Sequence, residues 1–297
     1  MPLSAVHMWN VVLVAFEGPD RYSFVGGLAT RMTDLSAALV ARGHRVRHIF
    51  IGDPQQPHVE MKDGGLVLER WGQWISAFHP KDVYDGEEGK YADFSRTVPP
   101  RLADLASEAE RRGERTVMLF EDWQTAAAAI GAATICRARG VHVPMFWNAN
   151  NTYGFGRVDF PVLRRLVSIT TISRYMRMEL LKVDVEAAIL PNGIADRWLR
   201  PVPPSDPAAL RAAFGERPTF VKVARFDQDK RWLWAIDAVA AMRDAGMRPR
   251  FIMRGSRSDY ADIVGARIRA RGLNVDRLAL PPTASPRDLA AAVSTTT

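Results

Sequence analysis

Arg225 and Lys230 bracket a short loop in the stretch Val221-Lys-Val-Ala-Arg-Phe-Asp-Gln-Asp-Lys230, directly after a β-branched run. Two cations converging from one loop can clamp a diphosphate and stabilise its charge as it leaves with a nucleotide. The same spacing fits a solvated pair with Asp227 and Asp229 as counter-charges. Gly26 and Gly27 stand between an apolar run and the helical stretch that follows it. Paired glycines let backbone amides approach a phosphate, and a helix adds its positive end; they equally permit a tight strand-to-helix turn. Neither a GxGxxG pattern nor a Walker lysine follows, which disfavours a dinucleotide enzyme or a P-loop kinase. The six histidines show no HExxH or other ligand spacing, so neither a metal nor a cofactor is expected. Cys136, the single cysteine, cannot bridge within the chain and reads as a small helix residue. Trp71 and Trp74 are candidate stacking platforms for carbohydrate, whereas Trp232 and Trp234 lie in a helical stretch and read as core.

The elements that must position these groups read as α/β. Short β-branched runs alternate with amphipathic stretches, the pattern of a parallel sheet covered by crossover helices. Strands are expected at Val11–Phe16, Arg45–Ile51, Val117–Phe120, Val143–Trp147, Leu166–Ile172 and Ala187–Leu190. Leu28, Met32, Leu35 and Leu39 recur at helical spacing up to Gly43. Helices follow at Ala126–Arg139, closed by Gly140, and at Arg174–Lys182, and Pro191-Asn192-Gly193 reads as a turn. The stretch Asp53–Val98 has no clean period and reads as an insertion over the sheet edge. Prolines 201, 203, 204, 207 and 218 interrupt the alternation, which then restarts. Strands are expected at Thr219–Ala224, Arg250–Met253 and Val275–Leu280, helices at Arg231–Ala245 and Ser258–Arg271, and a last helix from Pro286. The expected organisation is therefore a first lobe over 1–195, a Pro-rich linker over 196–218 and a second lobe over 219–297.

With 297 residues, 47% hydrophobic and 25% charged, the chain can bury two cores of ordinary size. Apolar runs are far shorter than the roughly 20 residues a membrane span requires, and no signal peptide is evident, so a cytoplasmic location is expected. The net charge of +7 comes from 34 arginines against six lysines and favours anionic ligands. Those arginines are dispersed along helices without an aromatic-basic pattern, which argues against nucleic acid as partner.

Five segments resemble family 4 glycosyltransferases in order and spacing, from about Val11 to about Leu289. They are Tyr22-Ser-Phe-Val-Gly-Gly-Leu-Ala-Thr-Arg31 with Gly43-His-Arg-Val46, then Thr171-Ile-Ser-Arg174, Leu190-Pro-Asn-Gly-Ile194 and Arg225-Phe-Asp-Gln-Asp-Lys230. Phe120-Glu-Asp-Trp-Gln-Thr125 is similar to the His-Asp-Trp-Gln signature of bacterial glycogen and starch synthases. The resemblance implies two facing Rossmann-like lobes of the GT-B type. It implies metal-independent, retaining transfer of a hexose from a nucleotide-diphosphate sugar to a glycan or other hydroxyl acceptor, as in carbohydrate biosynthesis. Carried over, Gly26 and Gly27 would lie against the donor diphosphate, and Arg225 and Lys230 would neutralise it. Asp122 would face the acceptor or transferred sugar, or else cap the helix after it. Asn148, just past its strand, and Asn151 would offer amides to sugar hydroxyls where many relatives use histidine. Arg254 and Gly255 would approach the nucleotide, with Gly255 also readable as turn chemistry. Glu121 stands where the synthase signature has histidine, so glucan synthesis is not inherited with it.

Relatives continue past Asp288-Leu-Ala-Ala-Ala-Val293 into a Pro-Ser…Glu-Gly-Phe-Gly…Glu segment, where this chain reads Ser294-Thr-Thr-Thr297. The expectation is therefore a truncated second lobe, an impaired transferase and self-association through an uncovered sheet. Two rival readings remain: a non-catalytic remnant that binds a glycan or partner, and a sugar-nucleotide epimerase on the same fold. The epimerase would need acid and base carboxylates that no motif marks here.

Overall fold

The computed structural model describes residues 8–201, 217–255, 259–273 and 276–277. The chain divides into two compact units, Met1–Ile194 and Ala195–Thr297. The first is built on an eight-stranded sheet in the order β3-β4-β2-β1-β5-β6-β7-β8. These are β1 (Asn10–Val14), β2 (Arg45–Ile51), β3 (Val59–Lys62), β4 (Leu66–Trp71), β5 (Thr116–Glu121), β6 (Met145–Ala149), β7 (Ser168–Thr171) and β8 (Ala188–Ile189). All pairings are parallel except β3 with β4. A parallel sheet needs cover on both faces, and β1 supplies it by alternation. Val11, Leu13 and Ala15 pack toward helix α1 (Gly27–Ala41) with Met32 and Leu35. Val12, Val14 and Phe16 face the opposite side, against α3 (Glu87–Arg111) and α4 (Ala126–Ala138).

The stretch expected to be an insertion over the edge is instead part of the architecture. β4 continues the sheet beside β2, followed by the short α2 (Gln73–Ser76). The 25-residue α3 then buries Phe94, Val98, Leu102, Ala106 and Ala109 at helical spacing. Pro99 and Pro100 lie inside that helix and hide its period from a reading that treats proline as a stop. The helix is held against α4, where a β-carbon on Gly131 would stand 2.9 Å from Pro99 Cγ. Close approach is possible because α4 presents Ala128, Ala129, Ala132 and Ala133, together with Cys136, whose thiol is buried and pushed up in pKa by that burial.

Gly43 ends α1 as expected: at φ +83° its N–H donates to Val40 O, and His44 N–H reaches Leu39 O. The unit closes with α5 (Phe160–Leu166) and α6 (Arg174–Leu181), capped by the side chains of Asp159 and Ser173. Among the described residues no helix is long and apolar enough to cross a membrane.

The second unit begins with the helical turn α7 (Asp196–Leu199). It has a parallel sheet in the order β11-β10-β9, from β9 (Thr219–Val223), β10 (Arg250–Arg254) and β11 (Asp276–Arg277). Helices α8 (Trp232–Asp244) and α9 (Tyr260–Ala270) pack on it through Trp232, Ile236, Val239, Phe251, Met253 and Val264. Trp232 is core as expected, but Trp234 is 69% exposed, on the outer face of α8. The expected helix from Pro286 and most of the linker and of the Val275–Leu280 strand lie outside the described residues.

His48 on β2 is fully buried, and that burial lowers its pKa to about 4 against small opposing effects of Glu17 and Asp20. An unfolded histidine titrates near 6.5, so the fold takes up fewer protons than the unfolded chain between these values. Stability is therefore full above pH ~6.5 and is lost as pH falls toward 4, by up to ~3 kcal/mol. Urea denaturation should show His48→Leu with a flatter stability profile from pH 6.5 to 4 than the wild-type chain.

Candidate functional site

The strand order of the first sheet reverses direction between β1 and β5, the place where an open α/β sheet leaves a crevice at its carboxyl edge. The residues that gather there are acidic and buried. Glu121 ends β5 and is wholly buried. Its carboxylate accepts from Arg31 Nε and Nη2 on α1 at 3.2 and 3.1 Å, and from Asn148 and Asn150 at 3.0 and 2.7 Å. Arg31 continues outward to Asn192 Oδ1 at 2.6 Å, in the turn Pro191-Asn192-Gly193.

Asp122 follows with φ +65° and ψ 174°, a region that is nearly glycine-only. It does not cap the helix after it; Asn151 Nδ2 donates to its Oδ2 at 2.7 Å, and its buried Oδ1 has no partner. Burial first, and the Glu121 charge second, push its carboxyl up to about 7, opposed by the donors of Asn151, Trp123 and Asn150. Trp147 holds the strained backbone from below, its indole N–H donating to Asp122 O at 2.9 Å. Strain and an unpaired buried carboxylate oxygen at one residue both cost stability, which makes Asp122 a candidate site residue.

Asn148 lies within β6 rather than after it, and is completely buried. Its amide is engaged with Glu121, and its oxygen accepts from Thr170 Oγ1 at 2.8 Å. Asn148 thus orients the carboxylate, while Asn151 stands beside Asp122.

The N-terminus of α1 already holds an anion of the chain's own. Glu17, 5% exposed, accepts from Gly26 N–H at 3.0 Å, from Ala29 N–H at 2.9 Å and from the Tyr84 hydroxyl. Burial and the Glu17 charge raise the Tyr84 pKa. The Gly26 amide is therefore taken, whereas a β-carbon at Gly27 would meet nothing within 4 Å. Glu17, Arg31 and Tyr84 carry no expectation from the sequence: Glu17 and Tyr84 lie in no motif, and Arg31 closes one that gives it no role.

In the second unit the loop after β9 carries Arg225 and Lys230, both exposed. Neither pairs with Asp227 or Asp229; Asp227 instead accepts from Asp229 N–H at 2.9 Å. The loop is fixed from beneath by Trp232, whose indole donates to Arg225 O at 2.6 Å. Arg254 and Gly255 end the neighbouring strand at the same sheet edge, where Arg254 O accepts from Ala224 N–H. Glycine at 255 makes room for the Phe226 ring, which an added β-carbon would meet at 2.6 Å.

No protein-family model matches the chain, and no curated protein matches it in sequence. Solved structures do share its fold. A glycosyltransferase from Rickettsia africae ESF-5 aligns with TM-score 0.63 at 11% identity, over 98% of this chain and 72% of its own. The catalytic domain of starch synthase IV from Arabidopsis thaliana, bound to ADP and acarbose, aligns with TM-score 0.64 at 16% identity, over 96% and 77%. A UDP-forming α,α-trehalose-phosphate synthase from Burkholderia vietnamiensis aligns with TM-score 0.57 at 16% identity, over 95% and 74%. The chain shares the α/β fold of these glycosyltransferases.

Asp122 supplies a stability test. Its folded pKa lies above the unfolded value near 3.9, so its favourable protonated state is lost as pH rises through 7. Asp122→Asn keeps an acceptor for Asn151 and cannot ionise. In urea denaturation it should gain about 2–4 kcal/mol on the wild-type chain between pH 4 and pH 8.

Proposed function

We propose that the chain is a glycosyltransferase acting on a nucleotide-diphosphate sugar, with retention at the anomeric carbon and without a metal ion. The first unit binds the transferred sugar or its acceptor, and the second binds the donor diphosphate. The observation that carries this reading is Asp122, a buried carboxylate in a strained backbone with one oxygen left unpaired at the switch point of the sheet. A sugar hydroxyl donates the hydrogen bond that Oδ1 lacks, and Asn151 offers an amide beside it. Glu121, held by Arg31, Asn148 and Asn150, fixes the strand end on which both stand.

On the donor side Arg225 and Lys230 supply unpaired positive charge from one loop, with Arg254 and Gly255 on the neighbouring strand end toward the nucleotide. Transfer breaks the bond from the anomeric carbon to the diphosphate oxygen and forms one to the acceptor oxygen. The acceptor proton leaves with the diphosphate, and the two cations stabilise the charge of that leaving group. Glu17 already occupies the Gly26 and Ala29 amides at the start of α1, so the diphosphate charge is met by the cations of the second unit. The fold shared with starch synthase IV and trehalose-phosphate synthase supports the same reading.

Calorimetry with UDP, GDP and ADP tests it. At least one should bind, with unchanged affinity in EDTA. The double variant Arg225→Ala/Lys230→Ala should weaken binding by about 1.5–3 kcal/mol for each cation removed. Unchanged binding by the double variant, or binding abolished by EDTA, contradicts the proposal.

A further inference from the structure

Two open grooves lie side by side along the first turns of α3, on the carboxyl side of β4. The larger, about 560 Å³, is lined by Trp74, Ile75, Phe78, His79, Asp93 and Arg96, among others. The smaller, about 320 Å³, is lined by His58, Trp71, Gln73, Trp74, Asp93 and Thr97, among others. Both volumes fall in the range of small-molecule sites, about 300–1,000 Å³. Trp74 and Asp93 line both, so the grooves adjoin and form one track. Trp74 is 64% exposed and Phe78 79% exposed, an arrangement that apolar burial alone does not account for.

The frame under these aromatics is rigid. His79 is held by Asp85 at 3.4 Å and packs where a β-carbon on Gly86 would clash at 2.4 Å. The His79 carbonyl accepts from the Tyr22 hydroxyl at 2.7 Å. Buried Lys90 donates to the carbonyls of Asp82, Val83 and Asp85, which fixes the segment between the groove and Tyr84. The indole N–H of Trp71, in the smaller groove, is buried without a partner. The charges of the track are balanced among themselves: Arg96 faces Asp93 at 3.9 Å, and Arg70 is committed to Asp20 and Glu60.

We propose that this track binds a neutral oligosaccharide, an extended glycan whose pyranose rings stack on Trp74 and Phe78. Asp93, Arg96 and the Gln73 side-chain oxygen meet its hydroxyls, the Gln73 amide nitrogen being committed to the carbonyls of Asp53 and Gln56. An aromatic face flanked by planar polar side chains, with no charge left over, suits a ligand that has apolar C–H faces and hydroxyl edges. A lipid or protein partner would instead call for a continuous aliphatic patch or an uncompensated charge. The helix that lines the track is tied to the strand-end site at its first turn, where Glu87 accepts from Gln124 at 3.0 Å, two residues beyond Asp122. Tyr84 connects the same segment to Glu17. This inference rests on the transferase reading only in taking the glycan as the acceptor; the groove itself binds regardless of donor chemistry.

The full chain is screened against neutral hexasaccharides, comprising α-1,4-, β-1,3- and β-1,4-glucans, mannan, galactan and chitin, with the matching monosaccharides and phosphatidylcholine vesicles alongside. At least one hexamer should bind, at least about tenfold more tightly than its monosaccharide, and Trp74→Ala and Phe78→Ala should each weaken it about tenfold. Trp234→Ala, which removes an equally exposed indole of the second unit, should leave it unchanged. Both groove side chains are solvent-exposed, so circular dichroism should show the variants folded. Absence of binding to every hexamer, equal binding of a monosaccharide, insensitivity to Trp74→Ala, or Trp74-dependent binding to vesicles instead overturns the proposal. Nucleoside diphosphate binding is measured on the same samples: it should survive Trp74→Ala and fall with Arg225→Ala/Lys230→Ala, so the two readings fail separately.

Discussion

The burial of Glu121 is the constraint on which the first unit's site depends. A carboxylate removed from water is tolerable only when donors surround it, and here they come from three places in the chain: Arg31 on α1, Asn148 on β6 and Asn150 after it. Those bonds determine where α1 sits against β5 and how the residues after β6 turn, and hence where Asn151 meets Asp122. Asp122 then sits beside a charge it would otherwise avoid, in a backbone conformation that side chains disfavour. The surrounding core supplies the stability for this arrangement, with Trp147 packed beneath it and hydrogen-bonded to the strained peptide.

Most of the sheet was legible in the sequence because its signal is local. β-Branched runs followed by helical periods mark β1, β2, β5, β9 and β10 within a residue or two. Gly43 and Gly140 mark helix ends for the same reason. The region from β3 through α3 was not legible, since Pro99 and Pro100 conceal a helix whose apolar spacing is otherwise regular and which packs on both α4 and the sheet. Of the candidate site, Arg225 and Lys230 were singled out by their spacing along one loop and Asp122 by resemblance, whereas the hydrogen-bonded setting of Asp122 was not legible. Arg31 meets Glu121 across 90 residues of chain and Asn192 across 161, and no pattern within a short window can register such pairs.

The two units carry opposite electrostatic character at their strand ends. The first gathers Glu17, Glu121 and Asp122 in buried positions, balanced there by Arg31 and by amide donors. The second displays Arg225 and Lys230 to solvent from a loop tied down by Trp232. Burial makes the first set dependent on geometry and insensitive to salt, while exposure makes the second set screened and adaptable.

Cys136 gives the molecule a built-in reporter. It is the chain's one thiol, and it lies buried on the face of α4 that joins the core shared with α3. A thiol reagent can reach it only when that helix pair separates, so the rate of its modification under native conditions measures the free energy of a local opening in the first unit. The second unit has no cysteine and is silent in that measurement. The cohesion of one unit can therefore be followed in the intact chain, without an introduced label.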